Sequence, residues 1–207
     1  MSSEMRRWSD LSNEEKADFT RTEPNEARFW SGTSVDSEGK DVYGPENAKR
    51  LAEQDGGKTL EMKLSDNNID MDKSAMSGED WEEASANYAK GASGDVKCYK
   101  GDEMLPDNTY EGTEKDAIDN NKNINSMTEV DNINGSKDKG IYTRNEDEKL
   151  EDAQGNKYSE ASGAESTKDK SSSQEQSTGQ QQDAESSKDT GQSNDDGHDY
   201  YNGPGYY

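Results

Sequence analysis

The large apolar side chains of this 207-residue chain are confined to its first 150 residues. From Glu151 to Tyr207 there is no Leu, Ile, Val, Met, Phe or Trp, and every Trp and Phe lies in the first half of the chain. A segment without such residues buries too little apolar surface to offset its loss of conformational entropy. Any hydrophobic core must therefore come from roughly the first 135 residues, a size at which one domain can fold.

The chain as a whole contains only 25% apolar residues and carries a net charge of −23. We predict a disordered, low-complexity acidic tail over residues 136–207. The only histidine, His198, lies in that tail, and we assign it no role. The acidic charge argues against nucleic acid and anionic membranes as partners. A halophilic protein would carry a similar charge.

Other properties follow from residue types that the sequence lacks. The single cysteine, Cys98, excludes a disulfide within the chain. No apolar run is long enough to cross a bilayer, and the first residues do not contain the apolar stretch of a signal peptide. We therefore expect a cytoplasmic protein by default, and non-classical export stays open.

Residues 1–25 are predicted to form a helical arm, because Ser12-x-x-Glu15 has the spacing of a capping box. This arm either docks on the core or frays. Residues 27–33 are predicted to form a short strand, in which Phe29 and Trp30 point to opposite faces. One of these two side chains would face the core and the other a cleft, or both would simply be packed.

Residues 26–135 carry the signals of an α/β domain. A strand, short helix, strand order near the end of this range indicates parallel pairing. The fold class predicted is α/β, with a small parallel sheet, flanking helices and the disordered acidic C-terminal tail. The further predicted elements are a helix from Pro45 to Gly56, a strand or an approach to a turn over 59–64, a helix over about 79–91, strands over 95–100 and 124–130, and a short helical turn over 114–120.

Most catalytic arrangements are absent from the sequence. No histidine precedes the tail, which argues against cysteine or serine nucleophiles activated by histidine. No phosphate-binding or dinucleotide glycine motif and no Cys/His metal set is present. A calcium loop starting at Asp66 would place Met71 and Ser77 where the geometry needs Gly and Glu, so this segment is predicted to be an ordinary loop. We therefore predict neither metal nor cofactor.

Aromatic residues and carboxylates remain as candidate chemistry. Two indoles beside a carboxylate can hold a flat cationic ring and stabilise an oxocarbenium-like centre. Tryptophans that only pack in the core would give the same pattern, with Trp81 anchoring its helix and Trp30 packed beside it. Composition alone favours this structural role over a binding role. The candidates are Trp30, Glu61, Trp81, Tyr110 and Glu114.

Four segments, in order, resemble the ADP-ribosyl cyclase / NAD glycohydrolase family. They are Phe29-Trp30-Ser31-Gly32-Thr33, Thr59-Leu60-Glu61, Trp81-x-x-x-Ser85-x-x-Tyr88-Ala89-x-x-Ala92-x-Gly94-x-Val96, and Thr109-Tyr110-x-x-x-Glu114. The resemblance covers about residues 26–130. This chain departs from the family in having no disulfide, in different gaps between motifs, and in Gly32, where some relatives have an arginine.

The resemblance implies an enzyme that cleaves the nicotinamide–ribose bond of NAD, with NAD as substrate and no cofactor. It implies that Trp30 and Trp81 stack on the nicotinamide, that Glu114 is the catalytic carboxylate, and that Glu61 sets the balance between cyclisation and hydrolysis. It also implies substrate contacts from Ser31, Ser85, Thr109 and Tyr110. The alternative hypothesis is a catalytically inactive relative, or a largely disordered acidic interaction protein.

Overall fold

A five-stranded mixed sheet forms the centre of the domain. The computed structural model describes residues 4–104 and 108–160. The strands of the sheet are β1 (Arg28–Ser31), β4 (Gly94–Lys100), β5 (Ile124–Asp131), β6 (Asp138–Arg144) and β7 (Leu150–Glu151), and a separate hairpin consists of β2 (Ser34–Val35) and β3 (Asp41–Val42). The strand order in the sheet is β1-β4-β5-β6-β7, in which β1, β4 and β5 are parallel and β6 and β7 are antiparallel to their neighbours.

Five α-helices flank this sheet in the described part of the chain: α1 (Asn13–Thr20), α2 (Gly44–Asp55), α3 (Leu60–Asp66), α4 (Gly78–Gly91) and α5 (Lys115–Asn120). Short 3-10 helices lie at Trp8–Asp10 and Tyr158–Glu160, and a π-helical turn at Tyr110–Glu114 leads directly into α5. The predicted α/β class, a small parallel sheet with flanking helices, is confirmed, and the antiparallel strands are an addition to it.

Side chains alternate between the two faces of the sheet, and a hydrophobic cluster covers each face. The larger cluster contains Phe29 from β1, Cys98 from β4 and Tyr88 from α4. The smaller cluster lies on the opposite face, where α2 packs on Tyr99 and Val130. A sheet buried on both faces is typical of parallel strands joined by helical crossovers.

The segment 59–64, for which a strand or an approach to a turn was predicted, is helical instead. Thr59 caps the N-terminus of α3, and its hydroxyl accepts a hydrogen bond from the backbone N–H of Met62. Leu60 and Leu64 are both buried in the larger cluster. These leucines are four residues apart, so they fit one face of a helix as well as they fit strand alternation.

The disordered tail predicted from residue 136 is wrong for residues 138–160. Strand β6 pairs with β5, and β7 pairs with β6. Leu150 and Tyr158 are completely buried, and Tyr142 is nearly so. The Arg144 guanidinium donates hydrogen bonds to the carbonyls of Ile124, Asp119, Glu148, Ile118 and Asn121. Backbone pairing, these three buried side chains and the arginine therefore hold a segment that has few apolar residues. The rest of the predicted tail, including His198, lies outside the described residues.

Residues 6–20 dock on the domain. Trp8 is completely buried, and its indole Nε1 donates to the Glu83 carboxylate on α4 at 2.9 Å. Lys16 pairs with the same carboxylate at 2.6 Å. The expected capping box at Ser12 and Glu15 is present and starts α1, which packs mainly against α4. This segment therefore holds the outer side of the helix that carries Trp81.

Candidate functional site

Trp30 lies on β1, the edge strand of the sheet, and points away from the main core. Phe29 turns to the larger cluster, where its ring lies 5.0 Å from that of Tyr88. Trp30, on the other face, is partly exposed and packs against the smaller cluster. The opposite orientation of these two neighbours, expected from the sequence, is confirmed.

Glu61 is in the first turn of α3, beside β1. The indole Nε1 of Trp30 donates a hydrogen bond to Glu61 Oε1 at 3.0 Å. The other oxygen, Oε2, is buried and has no hydrogen-bond partner among the described residues. Burial raises the pKa of the Glu61 carboxyl, against the lowering effect of its hydrogen bonds to the Glu61 backbone, Thr59 and Trp30. The first two predicted motifs are therefore joined by a direct contact.

Trp81 and Ser85 lie one turn apart on α4, so they share a face of that helix. A capping box between Ser77 and Asp80 fixes the start of the helix. Trp81 is partly exposed and packs against the larger cluster, and Ser85 is buried with 6% of its surface exposed. The Ser85 hydroxyl lies near the Glu114 carboxyl and lowers its pKa. The third motif is thus close to the fourth.

Glu114 ends the π-helical turn and is 9% exposed. Burial raises the pKa of its carboxyl to about 8, the Ser85 hydroxyl opposes that rise, and the charge of Glu61 adds to it. Among the described residues, no basic group contributes to this shift. Glu61 and Glu114 are therefore treated as a carboxyl pair, because the charge of one acid disfavours ionisation of the other.

Tyr88 links the elements that carry Trp30 and Glu61 to helix α4. Its hydroxyl accepts from the backbone N–H of Arg28 at 2.8 Å and lies 2.6 Å from the carbonyl oxygen of Lys58. One buried phenol on α4 therefore ties together β1 and the segment that leads into α3. Burial raises the pKa of Tyr88 well above its ordinary value, and the negative charges of Glu114 and Glu61 add to that rise.

The remaining predicted site residues differ in their placement. The Ser31 hydroxyl donates to Asn108 Oδ1 at 3.2 Å, at the end of β1. Thr109 is partly exposed just before the π-helical turn. Tyr110 is 2% exposed, and its hydroxyl bonds to Glu129 and to Tyr158 inside the core. The polar end of Tyr110 therefore faces the protein interior, and the substrate contact implied for it stays a prediction.

Sequence reasoning missed Asn108 and the buried partners of Tyr110. Asn108 Oδ1 also accepts from the backbone N–H of Glu111, so it links β1 to the turn before Glu114. A polar residue ahead of a helical segment is a usable signal for such a cap. No local signal in the sequence indicated that Glu129, in a strand otherwise read by its alternation, would reach Tyr110.

A surface hollow of about 380 Å³ lies elsewhere, between the end of α4 and α5. Its lining consists of Lys90, Asp116, Ala117, Asn120, Asn121 and Lys122. It contains none of the predicted site residues and neither member of the carboxyl pair. The candidate site consists of Trp30 bonded to Glu61, and of Ser85 and Glu61 acting on the Glu114 carboxyl. Trp30 packs against the smaller cluster and Trp81 against the larger one, so the structure does not bring the two indoles together.

Comparison with known proteins gives no match, whether by family models, by curated sequences or by solved structures. Within residues 4–104 and 108–160, no group of three or more His, Cys, Asp or Glu side chains could hold a metal ion. No helix in the same ranges is long and apolar enough to cross a membrane.

Proposed function

We propose that this domain cleaves the nicotinamide–ribose bond of NAD and releases ADP-ribose or cyclic ADP-ribose. The observation that carries the proposal is the Trp30 indole bonded to Glu61, together with the buried Glu114 carboxyl, whose pKa the charge of Glu61 helps to raise. Such a pair of acids favours a ligand that brings positive charge. The nicotinamide ring of NAD is a flat cation, and the ribose becomes cationic as the bond breaks.

The proton balance supports a catalytic use of Glu114. In the free protein, burial and the neighbouring Glu61 keep the Glu114 pKa at about 8. A cation bound beside a carboxyl lowers its pKa. The proton is therefore released when NAD binds, and the carboxylate that forms stabilises positive charge at the anomeric carbon. This stabilisation is strongest in the transition state, which is the condition for acceleration.

The Trp30 indole would position the ring. Trp30 is held in orientation by its hydrogen bond to Glu61, so its face is fixed relative to the carboxyl pair. Trp81 shares a helix face with Ser85, which lies near Glu114. Aromatic faces attract cations, most strongly when water is excluded. Trp30, held beside Glu61, is therefore suited to binding the nicotinamide, whereas Trp81 packs against the larger cluster, on the other face of the sheet from the cluster that Trp30 contacts.

Glu61 Oε2 and Ser85 are suited to contact the ribose. Glu61 Oε2 is a buried acceptor without a partner among the described residues, and a sugar hydroxyl would supply the missing donor. A carboxylate in this position would also orient either water or the adenine base for attack, which is the partition that the resemblance assigns to Glu61. Arg28 is not available for phosphate, because its guanidinium bonds to Asp55 and to the carbonyls of Asn25 and Ala27.

The alternative is a catalytically inactive relative, or an acidic interaction protein that is largely disordered. The described residues form a packed domain with a buried sheet, so a disordered chain does not account for residues 4–104 and 108–160. The inactive relative differs from the proposal only in turnover, and the same assay separates the two.

The test is release of nicotinamide from NAD by the purified full chain, followed by chromatography. We expect turnover, and we expect Glu114→Gln to lower kcat about 100-fold or more, because it removes the charge that stabilises the transition state. The matched control is Glu82→Gln, the same change at an exposed position of α4. Absence of turnover by the wild-type chain, or unchanged turnover by Glu114→Gln, would refute the proposal.

A further inference from the structure

A cluster of buried charges and phenols lies next to the turn that carries Glu114, and the function proposed above does not use it. Lys100 on β4 bonds to Glu129 on β5 at 3.2 Å and to Glu111 at 3.5 Å. Lys115 bonds to Glu111 at 3.2 Å, and its ammonium group lies 5.0 Å from the centre of the Tyr158 ring. The cluster therefore connects the sheet, the π-helical turn and the last described 3-10 helix.

The burial of these groups is unusual for charged side chains. The Lys115 side chain is 1% exposed and that of Glu129 is 3% exposed, while Lys100 and Glu111 are each 18% exposed. Two lysines and two glutamates leave the cluster formally neutral. A buried ion pair is seldom more stable than apolar residues of the same size, because desolvation offsets its attraction. Fold stability alone therefore gives little reason for such a cluster at this place.

The charged cluster fixes the orientation of the π-helical turn. Apolar contacts allow a turn to slide or rotate, whereas hydrogen-bonded ion pairs fix distances and angles. Glu111 and Lys115 lie on either side of Glu114 in the chain. Glu111 bonds to Lys100 of the sheet, and the Lys115 ammonium group contacts the Tyr158 ring. A π-helical turn inside a helix is itself a rare conformation that occurs frequently at functional sites.

Tyr110 completes the attachment at the start of the turn. Its hydroxyl lies 3.1 Å from Glu129 Oε1 and 2.6 Å from the Tyr158 hydroxyl. Its ring lies 6.5 Å from that of Phe29 on β1. The first residue of the turn is thus bonded through its hydroxyl to the same Glu129 that holds Lys100.

We propose that Tyr110, Glu111 and Lys115 are positioning residues, which hold the π-helical turn so that Glu114 faces Glu61 and Ser85. They touch no substrate in this arrangement. Their effect on Glu114 is a property of the folded chain, and only its kinetic consequence rests on the function proposed above. Loosening the turn lets Glu114 move toward solvent and away from Glu61, and both changes return its carboxyl toward ordinary behaviour.

The experiment compares Glu111→Gln, Lys115→Met and Tyr110→Phe with the wild-type full chain. Carbon-13 NMR of labelled glutamate carboxyls follows the titration of Glu114, whose signal is assigned by its loss in Glu114→Gln. We expect the midpoint of Glu114 to fall by roughly one pH unit or more in the three variants. With NAD as substrate we expect kcat to fall about tenfold or more and KM to change little, because the reacting groups are misplaced.

The control is Asp119→Asn, which removes a buried charged contact from the same helix, α5. Asp119 is 4% exposed, bonds to Lys149 at 3.4 Å and accepts from the backbone N–H of Leu150 at 3.2 Å. The midpoint of Glu114 should not move in this variant. Tyr110→Phe decides the question, because it keeps the shape of the side chain and, unlike Glu111→Gln and Lys115→Met, removes no charge near Glu114.

An unchanged Glu114 midpoint in folded Tyr110→Phe would overturn the proposal. An equal shift in Asp119→Asn would also overturn it, because the effect would then be general loosening of α5. The NMR titration needs no turnover. A wild-type chain that leaves NAD intact, with a Glu114 midpoint that still depends on Tyr110, would therefore refute the enzymatic function and support the positioning role.

Discussion

Replacing Glu114 with glutamine should make the folded protein more stable at alkaline pH. The carboxyl has an ordinary pKa of 4.5 when the chain is unfolded and a pKa of about 8 when it is buried in the fold. A folded-state pKa above the unfolded value means that the native state binds the proton more tightly. Stability is therefore greatest below pH 4.5 and is lost as the pH rises toward 8. Glutamine keeps the shape of the protonated acid and has no proton to lose.

The magnitude follows from the separation of the two pKa values. One pH unit corresponds to about 1.4 kcal/mol, so between pH 5 and pH 9 the wild-type chain should lose about 4 kcal/mol relative to Glu114→Gln. That is a large part of the stability of an ordinary domain, which is about 5–15 kcal/mol. The difference between the two proteins is the useful quantity, because all other titrating groups are common to both.

The assay is urea denaturation followed by tryptophan fluorescence at several pH values from 5 to 9. The range stays above the isoelectric point of 4.3, where a chain of low net charge precipitates. The exposed control Glu82→Gln should follow the wild-type curve at every pH. A difference between wild type and Glu114→Gln that stays constant with pH, within about 0.5 kcal/mol, would refute the buried, uncompensated environment of this carboxyl.

Three further predictions test other parts of the structure. Glu61→Gln removes the neighbouring negative charge, so the NMR midpoint of Glu114 should fall below that of the wild type, and an unchanged midpoint would show that the acids do not interact. Ser77→Ala removes the cap of α4 and should cost about 1 kcal/mol of unfolding free energy by urea denaturation; the exposed Ser65→Ala change should cost much less. A chain ending at residue 160 should unfold cooperatively on heating, whereas one ending at residue 135 should not, because it lacks β6 and β7; equal circular dichroism melting curves would contradict this.

The parts of the fold that the sequence predicted are those with local signals. Helix α2 lies between Pro45 and Gly56 as expected, because proline fits the first helical turn and the glycine takes a left-handed conformation with φ of 75°. Strands β4 and β5 lie within a residue of the predicted ranges, since alternating apolar residues fit a pleated strand. These signals need no knowledge of distant neighbours.

The errors arose where the tertiary partner decides. Helix α3 is only seven residues long, and its apolar residues satisfy both helical and strand spacing. Strand β6 has the polar sequence DKGIYTR, in which Ile141 is exposed and only Tyr142 is well buried. It is held by backbone pairing with β5, which the residue types do not indicate. Counting apolar residues therefore predicted that the domain ends at residue 135, whereas the described structure continues to residue 160.

The members of the candidate site stay a prediction from the family resemblance, and their electrostatics are visible only in the structure. The Trp30 indole bonds to Glu61, and Ser85 and the charge of Glu61 both act on the pKa of Glu114. The interaction between Glu61 and Glu114 depends on distance and burial across 53 residues of chain, so no local pattern reports it. Tyr110 also belongs to one of the motifs, and its side chain is buried in the core.

The burial of Tyr158 has a consequence for synthesis on the ribosome. This tyrosine contacts both Tyr110 and Lys115, which lie on either side of Glu114 in the chain. While Tyr158 is still inside the exit tunnel, the earlier residues can emerge and collapse, but the turn that carries Glu114 lacks its support. The support of this turn is therefore complete only after residue 158 has left the tunnel, and a chain terminated before that residue would lack it.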